Sequence, residues 1–263
     1  MARPRPLSSG TEAMGARRLP LVLRDKARRV LPRLALLTLG AGLALNPVAQ
    51  AQAQASICGR DAMLVFDASS SMAMPRVGSV PARIDEARRA LADVLPDIAP
   101  LRRIGLMVYG PPNSAGGRVC DGIGLRFEPR SDAASSVTAA LNTLQPGGLT
   151  PLTASVQSAA DALNYRTKPA IIVVITDGSE TCGGQPCALG RHLAAEGAHM
   201  TVHVVGFRRV RDALVIKGEA KTQERHEDLR CLAHATGGTY VDTETVTELS
   251  NALRETLGCL LIG

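Results

Sequence analysis

The chain has 263 residues, 45% of them hydrophobic, only 2% aromatic and no tryptophan, and its formal net charge is +6. Residues 1–51 carry nine Lys/Arg and two Asp/Glu, a net of +7, which leaves −1 for the rest of the chain. A nearly neutral body does not favour binding to nucleic acids or to anionic membrane surfaces, so we expect neither as a partner.

The first part of the chain has the organisation of a secretory signal peptide. A basic segment, residues 17–33, precedes an apolar segment, residues 34–45, and three overlapping Ala-Gln-Ala triplets cover residues 49–55. This order predicts a signal peptide over residues 1–55, with cleavage near 51–55. An uncleaved anchor is the alternative, but the apolar segment is shorter than the about 20 residues that a membrane-spanning helix needs.

The mature chain, residues 56–263, is therefore expected to be exported, either periplasmic or secreted, and to have no transmembrane segment. The pattern leaves export by the general or the twin-arginine pathway open. A length of about 208 residues suits one α/β domain whose core is aliphatic.

Short apolar runs alternate with segments of helical periodicity along the mature chain. The predicted strands are residues 62–67, 104–109, 123–127, 170–175, 200–207 and 239–241. The predicted helices are residues 84 to about 96, 133–144, 151–163, 188–196, 229–235 and 246–257. This alternation predicts a doubly wound, mostly parallel sheet with one antiparallel edge strand and helices on both faces.

Oxygen-bearing side chains follow two of the predicted strands and one tight connection. Asp67, Ser69 and Ser71 follow the first strand, Thr150 follows a Gly-Gly-Leu connection, and Asp177 follows the 170–175 strand. Because ligands of doubly wound sheets bind where the strand order reverses, we expect these five side chains to converge. Two carboxylates and three hydroxyls are hard donors, typical of Mg²⁺, Ca²⁺ or Mn²⁺. The alternative for the serine-rich segment alone is a loop that caps the next helix.

In these motifs, residues 58–258 resemble the von Willebrand factor A-type (VWA) family. The matching segments are Asp67-Ala68-Ser69-Ser70-Ser71-Met72, Gly147-Gly148-Leu149-Thr150-Pro151-Leu152 and Asp177-Gly178. Further segments resemble an exported bacterial branch of the family: Tyr109-Gly110, Cys120-Asp121, the stretch from Glu180 to Cys187, Val204 to Phe207 and Ala235 to Gly238.

The resemblance implies a metal-ion-dependent adhesion site (MIDAS). By that resemblance Ser69 and Ser71 bind the ion through their hydroxyls, and Thr150 binds it directly or through water. Asp67 and Asp177 hold metal-bound waters, and a carboxylate from a partner protein completes the coordination shell. The chain departs from the family at one position of the motif, because residue 70, usually glycine, is serine here.

All six cysteines lie in the predicted mature chain, at positions 58, 120, 182, 187, 231 and 259. An even number of cysteines in an exported chain predicts disulfide bonds. We expect Cys182 to pair with Cys187, because the intervening Gly-Gly-Gln-Pro can form a turn. We expect Cys58 to pair with Cys259, because both are predicted at the same end of the sheet. The remaining two are left either to pair with each other or to be free thiols.

Three functions are weighed from these motifs: a metal-dependent protein-binding module, an exported scaffold with a structural cation, and a hydrolase. The chain has no G-x-S-x-G segment, no H-E-x-x-H segment and no glycine-rich phosphate loop followed by lysine. We therefore expect a non-enzymatic, adhesion-type module of the cell envelope that binds Mg²⁺ and a protein partner presenting an acidic residue. The sequence leaves the partner, the choice of ion and the oligomeric state open.

Overall fold

The computed structural model describes residues 58–75, 81–111, 120–207 and 219–259, with side chains of the last segment described from residue 227. The predicted signal peptide lies outside these residues. Within them, no helix combines the length and the apolar character that crossing a bilayer requires.

The predicted alternation of strands and helices is present, with bounds that differ by a few residues. The strands are β1 (Asp61–Asp67), β2 (Ile104–Tyr109), β3 (Ile123–Arg130), β4 (Ala170–Thr176), β5 (Met200–Phe207) and β6 (Tyr240–Thr243). The helices are α1 (Arg83–Ile98), α2 (Ala134–Asn142), α3 (Leu152–Ala162), α4 (Pro186–Glu196), α5 (Glu219–Ala235) and α6 (Val246–Thr256). A short 3₁₀ turn, Ser70–Ala73, follows β1.

The strands form one sheet in the order β3-β2-β1-β4-β5-β6. The β2–β3 pair is antiparallel and the other neighbouring pairs are parallel, so the predicted fold with one antiparallel edge strand is confirmed. The order reverses between β1 and β4, where Phe66 lies opposite Ile175. The carboxyl ends of these two strands are therefore neighbours at the switch point of the sheet.

The core lies on both faces of the sheet because the central strands are apolar at almost every position. In β1, Leu64 and Phe66 face the helices α1, α2 and α6, whereas Met63 and Val65 face α3, α4 and α5. Burial of each such side chain contributes about 1.5–3 kcal/mol. These two layers hold the end of β1 in a fixed position.

Helix α1 continues past Pro96, where the sequence predicted it to end, and reaches Ile98. Pro96 has no N–H, so the helix lacks the one backbone hydrogen bond that this residue would donate. Leu95 and Ile98 are buried on either side of it. Their burial outweighs the lost bond, so the final turn forms.

The disulfides are Cys58–Cys259, Cys120–Cys182 and Cys187–Cys231. The first confirms the predicted link between the two ends of the domain. The predicted pairing of Cys182 with Cys187 is wrong, and the two remaining cysteines neither pair with each other nor are free.

Helix packing explains one of the two unexpected pairs, Cys187–Cys231. Cys187 lies in the first turn of α4, which packs directly on α5, and a side chain at Gly190 would overlap the backbone of Leu232. Cys231 on α5 is thus brought to a Cα–Cα distance of 4.9 Å from Cys187. This helix contact joins residues 44 positions apart, so the spacing of the cysteines does not reveal it.

Candidate metal site

Asp67, the last residue of β1, is completely buried. Its Oδ1 accepts a hydrogen bond from the backbone N–H of Ser69 at 2.8 Å. Its Oδ2 accepts one from the hydroxyl of Thr176, the last residue of β4, at 2.7 Å. Thr176 was not among the predicted site residues, although its place beside Asp177 at the end of the same strand is visible in the sequence.

Asp177 follows β4 and is also buried. Its Oδ1 accepts a hydrogen bond from the Ser71 hydroxyl at 2.7 Å. Its Oδ2 accepts one from Nη1 of Arg83 at 3.1 Å, and the same nitrogen donates to the carbonyl oxygen of Ser71 at 3.2 Å. Arg83 is a charged neighbour that the motif did not reveal, because nothing in its sequence spacing connects it with Asp177.

The hydroxyls of Ser69 and Ser71 lie 3.1 Å apart. Thr150 is buried, and its backbone exchanges two hydrogen bonds with Thr181 in the loop after β4. Its side-chain hydroxyl makes no hydrogen bond to the residues that the structure describes. Ser69 and Ser71 use their hydroxyls in hydrogen bonds, whereas the Thr150 hydroxyl is still able to bind another group.

Hydrogen bonds join the loop of residues 68–71 to residues 147–148 beside these hydroxyls. The carbonyl oxygen of Gly148 accepts a hydrogen bond from the Ser70 hydroxyl at 2.9 Å and one from the Ser70 backbone N–H at 3.2 Å. The backbone N–H of Gly147 donates to the carbonyl oxygen of Ala68 at 2.9 Å. The serine in place of the usual glycine is therefore accommodated, and its hydroxyl adds a link between the loops.

The end of β2 closes the site from the other side. Tyr109 lies opposite Asp67 in the sheet, and its hydroxyl is buried without a hydrogen-bond partner among the described residues. Gly110 has φ 120°, and a Cβ there would overlap the backbone of Ala68 and Ser69. Glycine at this position lets the end of β2 approach the loop of residues 68–71, called the serine loop below, closely.

Glu180 belongs to the scaffold of the site. Its two carboxylate oxygens accept hydrogen bonds from the backbone N–H groups of Thr153 and Cys182, each at 2.7 Å. Because Thr153 lies in the first turn of α3, this carboxylate caps the helix that follows Thr150. Glu180 holds the two loops together, and both of its oxygens are already used.

Burial sets the electrostatics of the site. It raises the pKa of Asp67, and hydrogen bonds from Ser69 and Thr176 only partly oppose it. Burial and then the charge of Asp67 raise the pKa of Asp177 to about 6. Two carboxylates in a dry pocket repel each other, and a nearby cation would relieve that repulsion.

The donor set suits a hard divalent ion. No cluster of three or more His, Cys, Asp or Glu side chains suited to metal occurs in the described part of the chain. The five predicted ligands instead offer oxygen alone, from two carboxylates and three hydroxyls, which is the chemistry that Mg²⁺, Ca²⁺ and Mn²⁺ prefer. The unused Thr150 hydroxyl and the buried carboxylates are what such an ion would engage.

A family model described as the von Willebrand factor type A domain matches residues 62–180, a range that includes all five predicted ligands. The chain contains a VWA domain. The resemblance in the sequence and the doubly wound sheet agree with this membership.

Two curated relatives are uncharacterized proteins of Bacillus subtilis (strain 168). YwmC is 28% identical over 151 residues, which are 55% of this chain and 64% of YwmC. YwmD is 28% identical over 199 residues, which are 72% of this chain and 81% of YwmD. The chain thus spans less than two thirds of the length of YwmC.

Solved structures share the fold at low identity. The pilus adhesin SpaC from Lactobacillus rhamnosus GG has a TM-score of 0.58 and 16% identity, over 76% of this chain and 30% of SpaC. The VWA domain of SpRpn10 has a TM-score of 0.54 and 15% identity, over 78% of this chain and 99% of that domain. Proximal thread matrix protein 1 from the mussel byssus, with a zinc-occupied MIDAS motif, has a TM-score of 0.50 and 14% identity, over 76% of this chain and 46% of that protein.

Proposed function

We propose that this VWA domain is a metal-dependent protein-binding module of the cell envelope. Its site would consist of Asp67, Ser69, Ser71, Thr150 and Asp177, and its ion would be Mg²⁺, with Ca²⁺ or Mn²⁺ as alternatives. The observation that supports the proposal is the chain of hydrogen bonds that links Ser69, Ser71 and Asp177 beside the buried Asp67 at the switch point of the sheet. The bonds between Ser70 and Gly148 hold the loop that precedes Thr150 against the same turn.

The roles of the residues follow from their chemistry. The hydroxyls of Ser69, Ser71 and Thr150 would hold the ion directly, and Asp67 and Asp177 would hold it through water. A bound divalent ion supplies a positive charge and an open coordination position to an oxygen from outside, such as a partner carboxylate. The hydrogen bonds between the serine loop and residues 147–148 would keep Ser69 and Ser71 fixed relative to the segment that carries Thr150.

The comparisons support an interaction role. SpaC is described as a pilus adhesin, and the MIDAS motif of the mussel protein is occupied by zinc. Both statements concern those proteins, and they support adhesion and divalent metal binding as the function to test here.

A purely structural cation is less well supported. An ion that only fastens loops is needed where the loops lack other links, yet here Ser70 already bonds Gly148 and Thr150 already bonds Thr181. We also propose no catalytic activity, because neither Ser69 nor Ser71 contacts a histidine within the described residues.

We further propose that residues 1–55 are a signal peptide and that residues 56–263 are the exported domain. Three disulfide bonds support an oxidising compartment, since such bonds persist outside the cytosol. Periplasmic and secreted locations both satisfy this requirement.

The test is the melting temperature of the mature chain with and without Mg²⁺. At 100 times the dissociation constant, bound metal adds about 2.7 kcal/mol, which raises the Tm of a domain of this size by about 5–10 °C. Asp177→Ala removes the shift, whereas Asp97→Ala, at an exposed position of α1, keeps it. A wild-type chain with no shift in millimolar Mg²⁺, Mn²⁺ or Ca²⁺ would overturn the proposal.

A further inference from the structure

Arg83 is placed where helix energetics alone disfavour it. It is the first residue of α1, where the positive end of the helix dipole repels a cation. Its side chain is only 13% exposed and donates from Nη1 to Asp177 and to the Ser71 carbonyl. The position therefore serves the site and not the helix.

Adding a divalent ion changes the summed charge of Asp67, Asp177 and Arg83 from negative to positive. Ionised Asp67 and Asp177 together with the guanidinium of Arg83 give a net charge of −1. A divalent ion changes this to +1. Without Arg83, the charges of the ion and the two carboxylates would sum to zero.

The contact geometry allows Arg83 to stay in place when an ion is bound. Arg83 bonds Oδ2 of Asp177, while Oδ1 of the same carboxylate lies against the Ser71 hydroxyl. The hydroxyl side, where the ion would bind, is thus separate from the side that Arg83 occupies. Its charge then acts on the ion and on the ligand at the same time.

We propose that Arg83 is a built-in counter-ion that keeps the metal-loaded site one positive charge above neutrality, so that metal and an anionic ligand bind cooperatively. The inference rests on the proposed metal-binding function and deepens it. The ligand is one carboxylate of an acidic residue, because a single negative charge restores neutrality. Since coupling free energies are reciprocal, the carboxylate tightens the metal as much as the metal tightens the carboxylate.

The experiment is a calorimetric titration of the mature chain with Mn²⁺, with acetate as the carboxylate probe and chloride at matched ionic strength as its control. In the wild type, acetate tightens Mn²⁺ binding. Arg83→Gln binds Mn²⁺ about tenfold more tightly without acetate, since a nearby like charge is removed, and acetate no longer adds affinity. Arg83→Lys keeps the charge and therefore behaves like the wild type.

The control variant is Arg89→Gln, the same change on the same helix at an exposed residue whose Nε donates to the Asp85 carbonyl at 3.4 Å. It leaves the Mn²⁺ affinity and the acetate effect unchanged. Arg83→Gln with unchanged or weaker Mn²⁺ affinity, or Arg83→Lys behaving like Arg83→Gln, overturns the counter-ion role and leaves the metal site standing. A wild-type chain that binds no Mn²⁺ overturns the metal site itself.

Discussion

The two ends of the sheet bury charge in opposite ways. Where the strands begin, Arg102 is 3% exposed, and its guanidinium donates to the carbonyl oxygens of Arg60 and Gly258 beside the Cys58–Cys259 disulfide. Burial, followed by the charge of Arg60, lowers the pKa of Arg102 to about 10. This end is closed by the chain itself. The buried guanidinium binds backbone carbonyls, and a disulfide joins the two ends of the domain.

Where the strands end, the buried charges are carboxylates that face hydroxyls and each other. Asp67 and Asp177 share the space around Ser69 and Ser71, and Arg83 supplies one compensating charge for the two acids. One sheet thus buries a neutralised cation at one end and an excess of negative charge at the other. With the proposed function, the closed end contributes to folding, and the open end keeps the negative charge that a divalent cation would neutralise.

The largest expected effect is on the closed end. The double variant Cys58→Ser with Cys259→Ser opens a loop closed over a sequence separation of 201 residues and lowers the free energy of unfolding by about 4–5 kcal/mol at most. Urea denaturation measures that loss, and Mg²⁺ titration of the folded variant gives the wild-type affinity. If the metal affinity fell together with the stability, the two ends of the sheet would be coupled, and the separation of stability from binding would be wrong.

The next largest effect is at the open end, where one substitution is expected to raise stability and abolish metal binding. Asp67→Asn keeps the size of the side chain and removes a buried charge, so the metal-free variant is more stable by about 1–2 kcal/mol. The rise in Tm with Mg²⁺ is lost at the same time, because a ligand-holding carboxylate is gone. Thermal unfolding with and without Mg²⁺ measures both effects.

Asp97→Asn, the matched change at an exposed position of α1, alters neither quantity. If Asp67→Asn retained the full Mg²⁺ shift, the role proposed for this carboxylate would be wrong.

The sequence predicted much of this open end, because its signals are local. The apolar runs before Asp67 and Asp177 fixed the two strands, and the rule for doubly wound sheets placed their ends together. Thr176 was missed although it lies beside a predicted ligand, because it belongs to none of the three motifs. Arg83 escaped detection, since nothing in the sequence connects it with Asp177, which lies 94 residues away. The Cys187–Cys231 pair escaped for the same reason, because helix packing and not sequence proximity joins them.

A smaller effect is expected from Thr150→Val. The variant weakens Mg²⁺ binding about 10- to 100-fold, the range found when groups that support a metal are removed. Its metal-free stability changes by less than about 1 kcal/mol, because the lost hydroxyl has no hydrogen bond to the described residues. Calorimetry and urea denaturation give the two values.

Thr153→Val is the matched control, since its hydroxyl likewise has no hydrogen-bond partner in the described chain but belongs to α3. It keeps the wild-type affinity. Equal losses in the two variants would contradict a ligand role for Thr150.

The smallest effect is a dependence on pH. The pKa of Asp177 is about 6 in the fold and 3.8 in its ordinary state. A raised pKa stabilises the metal-free fold below pH 3.8, and this contribution is lost as the pH rises through 6. Metal binding has the opposite trend, because it requires the ionised carboxylate.

The Tm shift with Mg²⁺ is therefore full near pH 7.5 and decreases as the pH falls through about 6. Burial lowers the pKa of His203 to about 4, so that group changes metal-free stability in the opposite direction and masks Asp177. The difference in metal-free Tm between Asp177→Asn and the wild type cancels the histidine effect, and it grows in favour of the variant from pH 4 to pH 7. A constant difference would contradict the raised pKa.

Anomalous diffraction from crystals of the mature chain grown with Mn²⁺ would locate the ion itself. We expect one strong peak among the hydroxyl oxygens of Ser69, Ser71 and Thr150, with Arg83 still in contact with Asp177 beside it. Mn²⁺ bound elsewhere, with no peak among the three hydroxyls, would rule out the proposed metal site.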